Sequence, residues 1–132
     1  MSEKQKTVLV VEDDGTMREI VVHKLASSGL RVVEAADGKE AISVWEKERP
    51  DIVLLDLMLP EVDGFQVLEK MRGHHEATVA KTPVIILSNL FNREDMLRTQ
   101  KLSIEDFLIK AYYTTEDILD KVNIALAKNS TD

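Results

Sequence analysis

The stretch IVLLDLMLPEVDG, residues 52–64, decides the fold because it joins an apolar run to an aspartate and then to a turn. Ile52–Asp56 begins with consecutive apolar residues, which is typical of a strand buried on both faces. Pro50 ends the preceding helical pattern, and Asp63-Gly64 is a turn signal before the next one. The stretch therefore predicts a buried strand that ends at Asp56 and is followed by a helix.

The same alternation extends along the rest of the chain. Further strands are predicted at Thr7–Glu12, Arg31–Ala35, Val84–Leu87 and Phe107–Ile109. Helices are predicted at Thr16–Ser27, Gly38–Glu48, after Asp63-Gly64, at Asn92–Lys101 and at Thr115–Ala127, with a polar connection at Arg72–Thr82. Buried strands that alternate with five helices predict a parallel sheet covered on both faces. Right-handed crossovers make it doubly wound, with a site at the carboxyl ends of the strands.

Two local predictions concern the first helix. Met17, Ile20, Val21 and Leu25 are predicted to share one apolar face. Asp14, just before this helix, is interpreted either as a helix cap or as an additional metal contact.

Composition limits the possible functions. The 132 residues fit a single domain, 1–132, with a core of about 6–128, and 44% apolar residues are enough for a hydrophobic core. A net charge of −7 argues against broad DNA binding, which needs a basic face. The absence of cysteine excludes disulfides, thiolate catalysis and cysteine-based zinc sites. Without an apolar run of roughly 20 residues or a secretion signal, we expect a cytoplasmic protein without membrane insertion.

Chemically useful residues stand where the apolar runs end. Glu12-Asp13-Asp14 ends the first run, Asp56 the third, Ser88 the fourth and Lys110 the fifth. In a parallel sheet these ends meet at one edge, so the side chains should converge. Clustered carboxylates favour a hard cation such as Mg2+, and a strand-end aspartate can act as a nucleophile. A lysine and a hydroxyl can contact phosphoryl oxygens. The pattern predicts a site for phosphoryl chemistry.

Four segments resemble the receiver domains of two-component response regulators. They are VLVVEDDGTMR (8–18), IVLLDLMLPEVDG (52–64), PVIILSN (83–89) and DFLIK (106–110). They span about Val8 to Lys110 and the final helix also fits, so the resemblance extends over nearly the whole chain. It is to the stand-alone type, similar to chemotaxis regulators. It implies a flavodoxin-like fold, a three-layer sandwich with strand order 2-1-3-4-5.

The resemblance also implies a role for each site residue. Asp56 is the expected phosphoacceptor, and Lys110 the expected partner of the phosphoryl group. Asp13 is expected to bind Mg2+ directly and Glu12 through water. The remaining roles are the backbone carbonyl of Met58 as a metal ligand, Ser88 as the hydroxyl that turns toward the phosphoryl group, and Phe107 as the aromatic switch. Met58 and Leu90 are expected to influence the phosphorylated lifetime.

The implied function is a signalling switch that catalyses only its own phosphorylation and dephosphorylation. The expected partners are a sensor histidine kinase or phosphotransfer protein and a downstream protein target, with no direct nucleic acid contact. A homodimer through the fourth and fifth predicted helices, Asn92–Lys101 and Thr115–Ala127, is a further expectation. Because the last helix ends near the C-terminus, a stand-alone receiver is favoured over an excised domain.

Some positions depart from the receiver pattern, which leaves alternatives open. Ala111 replaces a common proline, so a trans bond after Lys110, or else a strained loop, is expected. Asn89 replaces a small residue, and Ser103-Ile104 replaces a Gly-Ala pair. These changes keep open a pseudo-receiver, an interaction module that is not phosphorylated.

Two other function classes fit the sequence less well. A phosphatase of the haloacid dehalogenase type needs a second aspartate where Met58 stands. A nucleotide or flavin module needs a phosphate loop, which the acidic residues after the first strand would oppose.

Overall fold

The computed structural model describes residues 4–89 and 92–129, a part of the chain that contains five strands and six α-helices. The strands are β1 Thr7–Val11, β2 Arg31–Ala35, β3 Ile52–Leu55, β4 Val84–Ser88 and β5 Asp106–Ile109. The helices are α1 Gly15–Ser27, α2 Gly38–Glu48, α3 Gly64–Arg72, α4 Ala77–Ala80, α5 Arg93–Gln100 and α6 Thr115–Lys128, and a short 3-10 turn spans Lys110–Tyr112.

The five strands form one parallel sheet in the order β2-β1-β3-β4-β5. This confirms the predicted doubly wound fold and its strand order. Strand β1 lies between β2 and β3, so Val8 is opposite both Val32 and Ile52. The order changes direction at β1 and β3, and the crevice at the carboxyl ends of these strands is where doubly wound folds place their sites.

The sheet separates two apolar cores, because successive residues of a strand point to opposite faces. In β1, Leu9 and Val11 belong to the core beneath α2 and α3, which also holds Trp45. Val8 and Val10 belong to the other core, beneath α1 and α6. Sheet residues buried on both faces account for the continuous apolar runs in the sequence.

The prediction of five helices is wrong because it missed one short helix. Helix α4 lies within Arg72–Thr82, which was predicted to be a polar connection. Val79 is buried there, and the Thr82 hydroxyl donates to the Val79 carbonyl while accepting from the Trp45 indole N–H. One buried side chain and one capping hydroxyl are too short a pattern to be distinguished from a loop.

The predicted apolar face of α1 is correct at Val21 and Leu25, which are buried, and at Met17, which packs against the core. It is wrong at Ile20, which is 51% exposed. Ile20 and Val21 are adjacent, and neighbouring helix positions lie about 100° apart, so only one of them can face the sheet directly.

Arg72, the last residue of α3, fixes the amino-terminal edge of the sheet. Its guanidinium donates to the carbonyls of Ala80, Thr82, Leu102 and Ser103 at 2.6–2.9 Å. These carbonyls belong to the segments that lead into β4 and β5, so Arg72 ties both strand entrances to α3. Among the described residues, no helix is both long and apolar enough to cross a bilayer.

Candidate functional site

Polar residues collect at the carboxyl edge of the sheet, as the sequence predicts. Glu12 directly follows β1, and Asp56 directly follows β3. Ser88 is the last residue of β4, and Lys110 directly follows β5. Because all the strands are parallel, these four positions lie on the same edge.

Glu12, Asp13 and Asp56 each offer one carboxylate oxygen to a group of three in which all the oxygens lie within 4.8 Å of one another. Glu12 and Asp56 are only 4% and 2% exposed, whereas Asp13 is exposed. Carboxylates this close repel one another, and burial weakens the screening by water. An open cluster of carboxylate oxygens is a donor set that suits Mg2+, which prefers oxygen ligands and keeps some of its waters.

Lys110 places a positive charge between two of these carboxylates. Its ammonium lies 2.5 Å from Glu12 Oε1 and 3.0 Å from Asp56 Oδ2. Burial by itself lowers the pKa of Lys110, but the contacts with Glu12 and Asp56 outweigh burial and raise the pKa above its ordinary value. The lysine is therefore a firmly protonated counter-charge for the two buried acids.

The Asp56 carboxylate is held through both of its oxygens. Oδ1 accepts a hydrogen bond of 2.9 Å from the backbone N–H of Met58, and Oδ2 contacts Lys110. The Asp56 backbone N–H donates to Val11 O of β1 at 3.1 Å. The side chain is thus oriented by Lys110 and by the backbone of its own following loop, while the Asp56 backbone is anchored to β1.

Gly64 allows the first turn of α3 to pack directly behind Asp56. A Cβ atom at this position would lie 2.3 Å from the Asp56 carbonyl oxygen and 2.6 Å from the Leu57 Cα. Because these neighbours are backbone atoms, a larger residue would have to displace the segment that carries Asp56. Close packing therefore requires glycine at position 64, while Asp63 caps α3.

The two residues predicted to switch occupy neighbouring strands. Ser88 is buried and pairs with Ile109, the residue before Lys110. Phe107 is half-buried on β5 and packs against the core beneath α2 and α3. Ser88 lies on β4, the neighbour of the strand that ends before Asp56, and Phe107 lies on β5, the strand that ends before Lys110. Their switching roles stay predictions.

The remaining predicted site residues have different surroundings. The Met58 side chain is 67% exposed beside the acidic cluster. Asp14 accepts from the backbone N–H groups of Thr16 and Met17 at 3.0 and 3.1 Å, which supports its interpretation as the cap of α1. Leu90 lies outside the described residues.

The departures from the receiver pattern are accommodated locally. The Lys110–Ala111 bond is trans, as predicted, and begins the 3-10 turn. Asn89 is exposed. Ser103 has φ 60°, a left-handed conformation that glycine adopts more easily.

Arg18 has a contact at the site that the sequence analysis did not assign. Its guanidinium Nη1 donates to the Glu12 carbonyl at 2.7 Å, and its Nε donates to Glu34 Oε1 at 3.2 Å. The only signal for Arg18 in the sequence was its position in the segment 8–18. An arginine one helical turn after a helix cap cannot be distinguished by sequence from an ordinary solvent-exposed residue.

Comparisons with known proteins agree with this geometry. A curated relative, the probable transcriptional regulator ycf27 of Porphyridium aerugineum, is 31% identical over 96% of this chain and 53% of its own length. The chain spans about half the length of the curated relatives it matches.

Two solved structures share the fold over nearly their full length. The Francisella response regulator 1452 receiver domain has a TM-score of 0.84 and 29% identity, with 96% of this chain and 100% of that chain covered. The chemotaxis protein CheY4 of Vibrio cholerae has a TM-score of 0.84 and 26% identity, with 92% and 99% covered. The family model described as the response regulator receiver domain matches residues 8–123, most of the chain. The predicted resemblance is thereby confirmed, and the chain belongs to the response regulator receiver domain family.

Proposed function

We propose that this chain is a phosphorylation-dependent signalling switch in which Asp56 accepts a phosphoryl group in a Mg2+-dependent reaction. The observation that carries the proposal is the contact of Lys110 with Glu12 and Asp56, residues that are 98 and 54 positions away in sequence. A cation shared by two buried carboxylates beside an exposed third one is costly to assemble for stability alone. The same arrangement is useful if its charges interact with a metal ion and a phosphoryl group.

The residues of the site divide the chemistry among them. Glu12, Asp13 and Asp56 would hold Mg2+, with the Met58 carbonyl as a further ligand. When bound, the cation neutralises charge on the phosphoryl oxygens and on the carboxylates. Lys110 is already protonated and lies 3.0 Å from Asp56 Oδ2, so it can pair with a phosphoryl oxygen after a small movement.

The transfer itself needs one nucleophile and one donor. A carboxylate oxygen of Asp56 attacks the phosphorus of a phosphohistidine, a P–O bond forms, and the P–N bond to the donor imidazole breaks. The electron pair of that bond stays with the imidazole nitrogen, which can take up a proton from solvent. The product is an aspartyl phosphate, and no other co-reactant is required.

The output follows from a change of contacts around the new phosphoryl group. Ser88 would turn its hydroxyl toward a phosphoryl oxygen, and Phe107 would follow on β5. Both strands lead into α5 and α6, the helices that correspond to the predicted dimer face. Phosphorylation then shifts an existing equilibrium between two arrangements of this face.

The partners follow from the same proposal. A sensor histidine kinase or a phosphotransfer protein supplies the phosphoryl group, and a downstream protein reads the altered face. A net charge of −7 opposes contact of this chain with a nucleic acid backbone. We propose a cytoplasmic location. We also propose that the chain turns over no external substrate, because the phosphoryl group stays on Asp56 until the aspartyl phosphate is hydrolysed.

Intact-protein mass spectrometry after incubation with acetyl phosphate and Mg2+ tests the proposal. We expect the wild type to gain one phosphoryl group and Asp56→Asn to gain none. The matched control is Asp120→Asn, an exposed aspartate on α6, which should be labelled like the wild type. Equal labelling of Asp56→Asn and the wild type would refute the assignment of the phosphoacceptor.

The same experiment distinguishes the pseudo-receiver alternative. A pseudo-receiver would show no labelling of the wild type with acetyl phosphate or with a phosphorylated histidine kinase. It would also show no change in NMR spectra on addition of beryllofluoride and Mg2+.

A further inference from the structure

The connection that carries Glu12 and Asp13 is only three residues long and lies between β1 and α1. Its backbone is fixed at several points. Glu12 N–H donates to Ala35 O of β2 at 3.1 Å, and Asp14 N–H donates to Glu12 Oε2 at 3.1 Å. The carbonyl of Glu12 is held by a side chain, that of Arg18.

Arg18 connects three elements through two hydrogen bonds. From α1, its Nη1 donates to the Glu12 carbonyl at 2.7 Å. Its Nε donates to Glu34 Oε1 on β2 at 3.2 Å, which holds the guanidinium plane in place. The Arg18 side chain is 23% exposed, and its bond to the Glu12 carbonyl is partly buried, whereas its bond to Glu34 is exposed. Hydrogen bonds from a charged donor are stronger than neutral ones.

The Glu12 carbonyl belongs to the peptide plane that joins Glu12 to Asp13. Fixing this carbonyl fixes the direction in which the backbone enters Asp13. Because Asp13 is exposed, we expect the position of its carboxylate near Asp56 to depend on the direction of this peptide.

We propose that Arg18 is a positioning residue for the site of the divalent cation. Arg18 holds the Glu12–Asp13 peptide so that both carboxylates face Asp56, and Glu34 orients the Arg18 guanidinium. This inference rests on the proposed Mg2+-dependent function. Residues that orient metal ligands typically contribute about 10–100-fold to metal affinity.

Charge and positioning predict opposite results when Arg18 is replaced. A positive charge near a cation site repels the cation, so removal of the charge alone would strengthen Mg2+ binding. Loss of positioning would weaken it, because Asp13 would adopt several orientations. The direction of the change in Mg2+ affinity therefore decides between the two effects.

The test is calorimetric titration of the full chain with Mg2+ in the wild type, Arg18→Gln and Glu34→Gln. We expect the dissociation constant to rise about 10-fold in Arg18→Gln and by a smaller factor in Glu34→Gln. The matched control is Arg31→Gln, because Arg31 also pairs with a glutamate, Glu48, at 2.6 Å but lies at the opposite end of β2. It should bind Mg2+ like the wild type.

Two further readouts separate positioning from a general structural role. Arg18→Lys, which keeps the charge and one possible donor, should restore part of the lost affinity. In acetyl phosphate labelling, the Mg2+ concentration for half-maximal rate should rise in Arg18→Gln, while the rate at saturating Mg2+ should stay within about twofold of the wild type.

The possible outcomes are distinct. An unchanged or stronger Mg2+ affinity in Arg18→Gln, with a normal wild type, would overturn the inference and leave the proposed function intact. An equal loss in Arg31→Gln would also overturn it, because the effect would then reflect stability. A wild type that binds no Mg2+ would overturn both the inference and the proposed function.

Discussion

Each of the two edges of the sheet holds a partly buried, long cationic side chain among oxygen atoms, but the oxygen atoms differ. At the carboxyl edge, Lys110 contacts the carboxylates of Glu12 and Asp56. At the amino edge, Arg72 contacts four backbone carbonyls. Burial lowers the pKa of Arg72, whereas the carboxylates around Lys110 outweigh burial and raise its pKa.

The difference shows which of the two cationic side chains, Arg72 or Lys110, can change its contact partners. Backbone carbonyls before β4 and β5 cannot leave Arg72 without disturbing the strands, so this contact belongs to the folded framework. Carboxylates can be neutralised by a metal ion or modified by a phosphoryl group, and Lys110 can then change partners. Under the proposed function, the carboxyl edge would change its contacts during signalling, whereas the contacts of Arg72 at the amino edge belong to the folded framework.

Replacement of Arg72 should have the largest effect on stability. Arg72→Met leaves the four carbonyls without their donor, and we expect a loss of about 3–4 kcal/mol in the free energy of unfolding. Urea denaturation measures this loss, with Arg31→Gln as the control for removal of an exposed arginine. The Mg2+ dissociation constant should stay close to that of the wild type. A stability within about 0.5 kcal/mol of the wild type would contradict the framework role of Arg72.

Replacement of Lys110 should destabilise the protein less and in a way that Mg2+ reverses. Lys110→Met removes the counter-charge of two buried carboxylates, at a cost of about 3 kcal/mol without Mg2+, the low end for a broken buried pair because Lys110 is only partly buried. A cation bound by those carboxylates restores the charge balance, so added Mg2+ should raise the melting temperature of Lys110→Met more than that of the wild type.

Arg72→Met is the matched variant for this comparison, since Mg2+ should raise its melting temperature only as much as it does in the wild type. An equal Mg2+ response in both variants would show that Lys110 and the cation do not act on the same carboxylates.

The smallest effect is expected at Ser103, the left-handed residue whose carbonyl Arg72 holds. Ser103→Gly relieves a strain of about 1 kcal/mol, partly offset by the greater freedom of glycine in the unfolded chain. We expect a net gain of about 0.5 kcal/mol, measured by urea denaturation, and no change in Mg2+ affinity. Ser103→Ala, which keeps the strain, is the control, and a gain of the same size in that variant would exclude the backbone explanation.

Strong periodic patterns in the sequence predicted most of the fold. The apolar runs at β1, β3 and β4 correspond to strands whose apolar residues are all buried, on both faces of the sheet. The two errors in the predicted fold occurred where the apolar pattern of a helix was short or where adjacent apolar residues pointed to different sides of the helix. Helix α4 has one buried residue, Val79, and Ile20 is adjacent to the truly buried Val21.

The site was predicted to a similar extent. Glu12, Asp13, Asp56 and Lys110 were identified because each follows an apolar run, and parallel strands bring such positions to one edge. The contact of Arg18 with the Glu12 carbonyl was missed because backbone carbonyls have no sequence signature. The four carbonyls around Arg72 were missed for the same reason.

The sequence by itself determined the alternation of strands and helices apart from α4, the two-sided burial of the sheet and the set of acidic and basic residues at its carboxyl edge. These follow from local periodicity and from the geometry of parallel crossovers. Only the tertiary structure decided which oxygens Lys110, Arg18 and Arg72 contact, because long side chains choose among partners that are distant in sequence. Those choices depend on distances of a few ångströms, which no local pattern encodes.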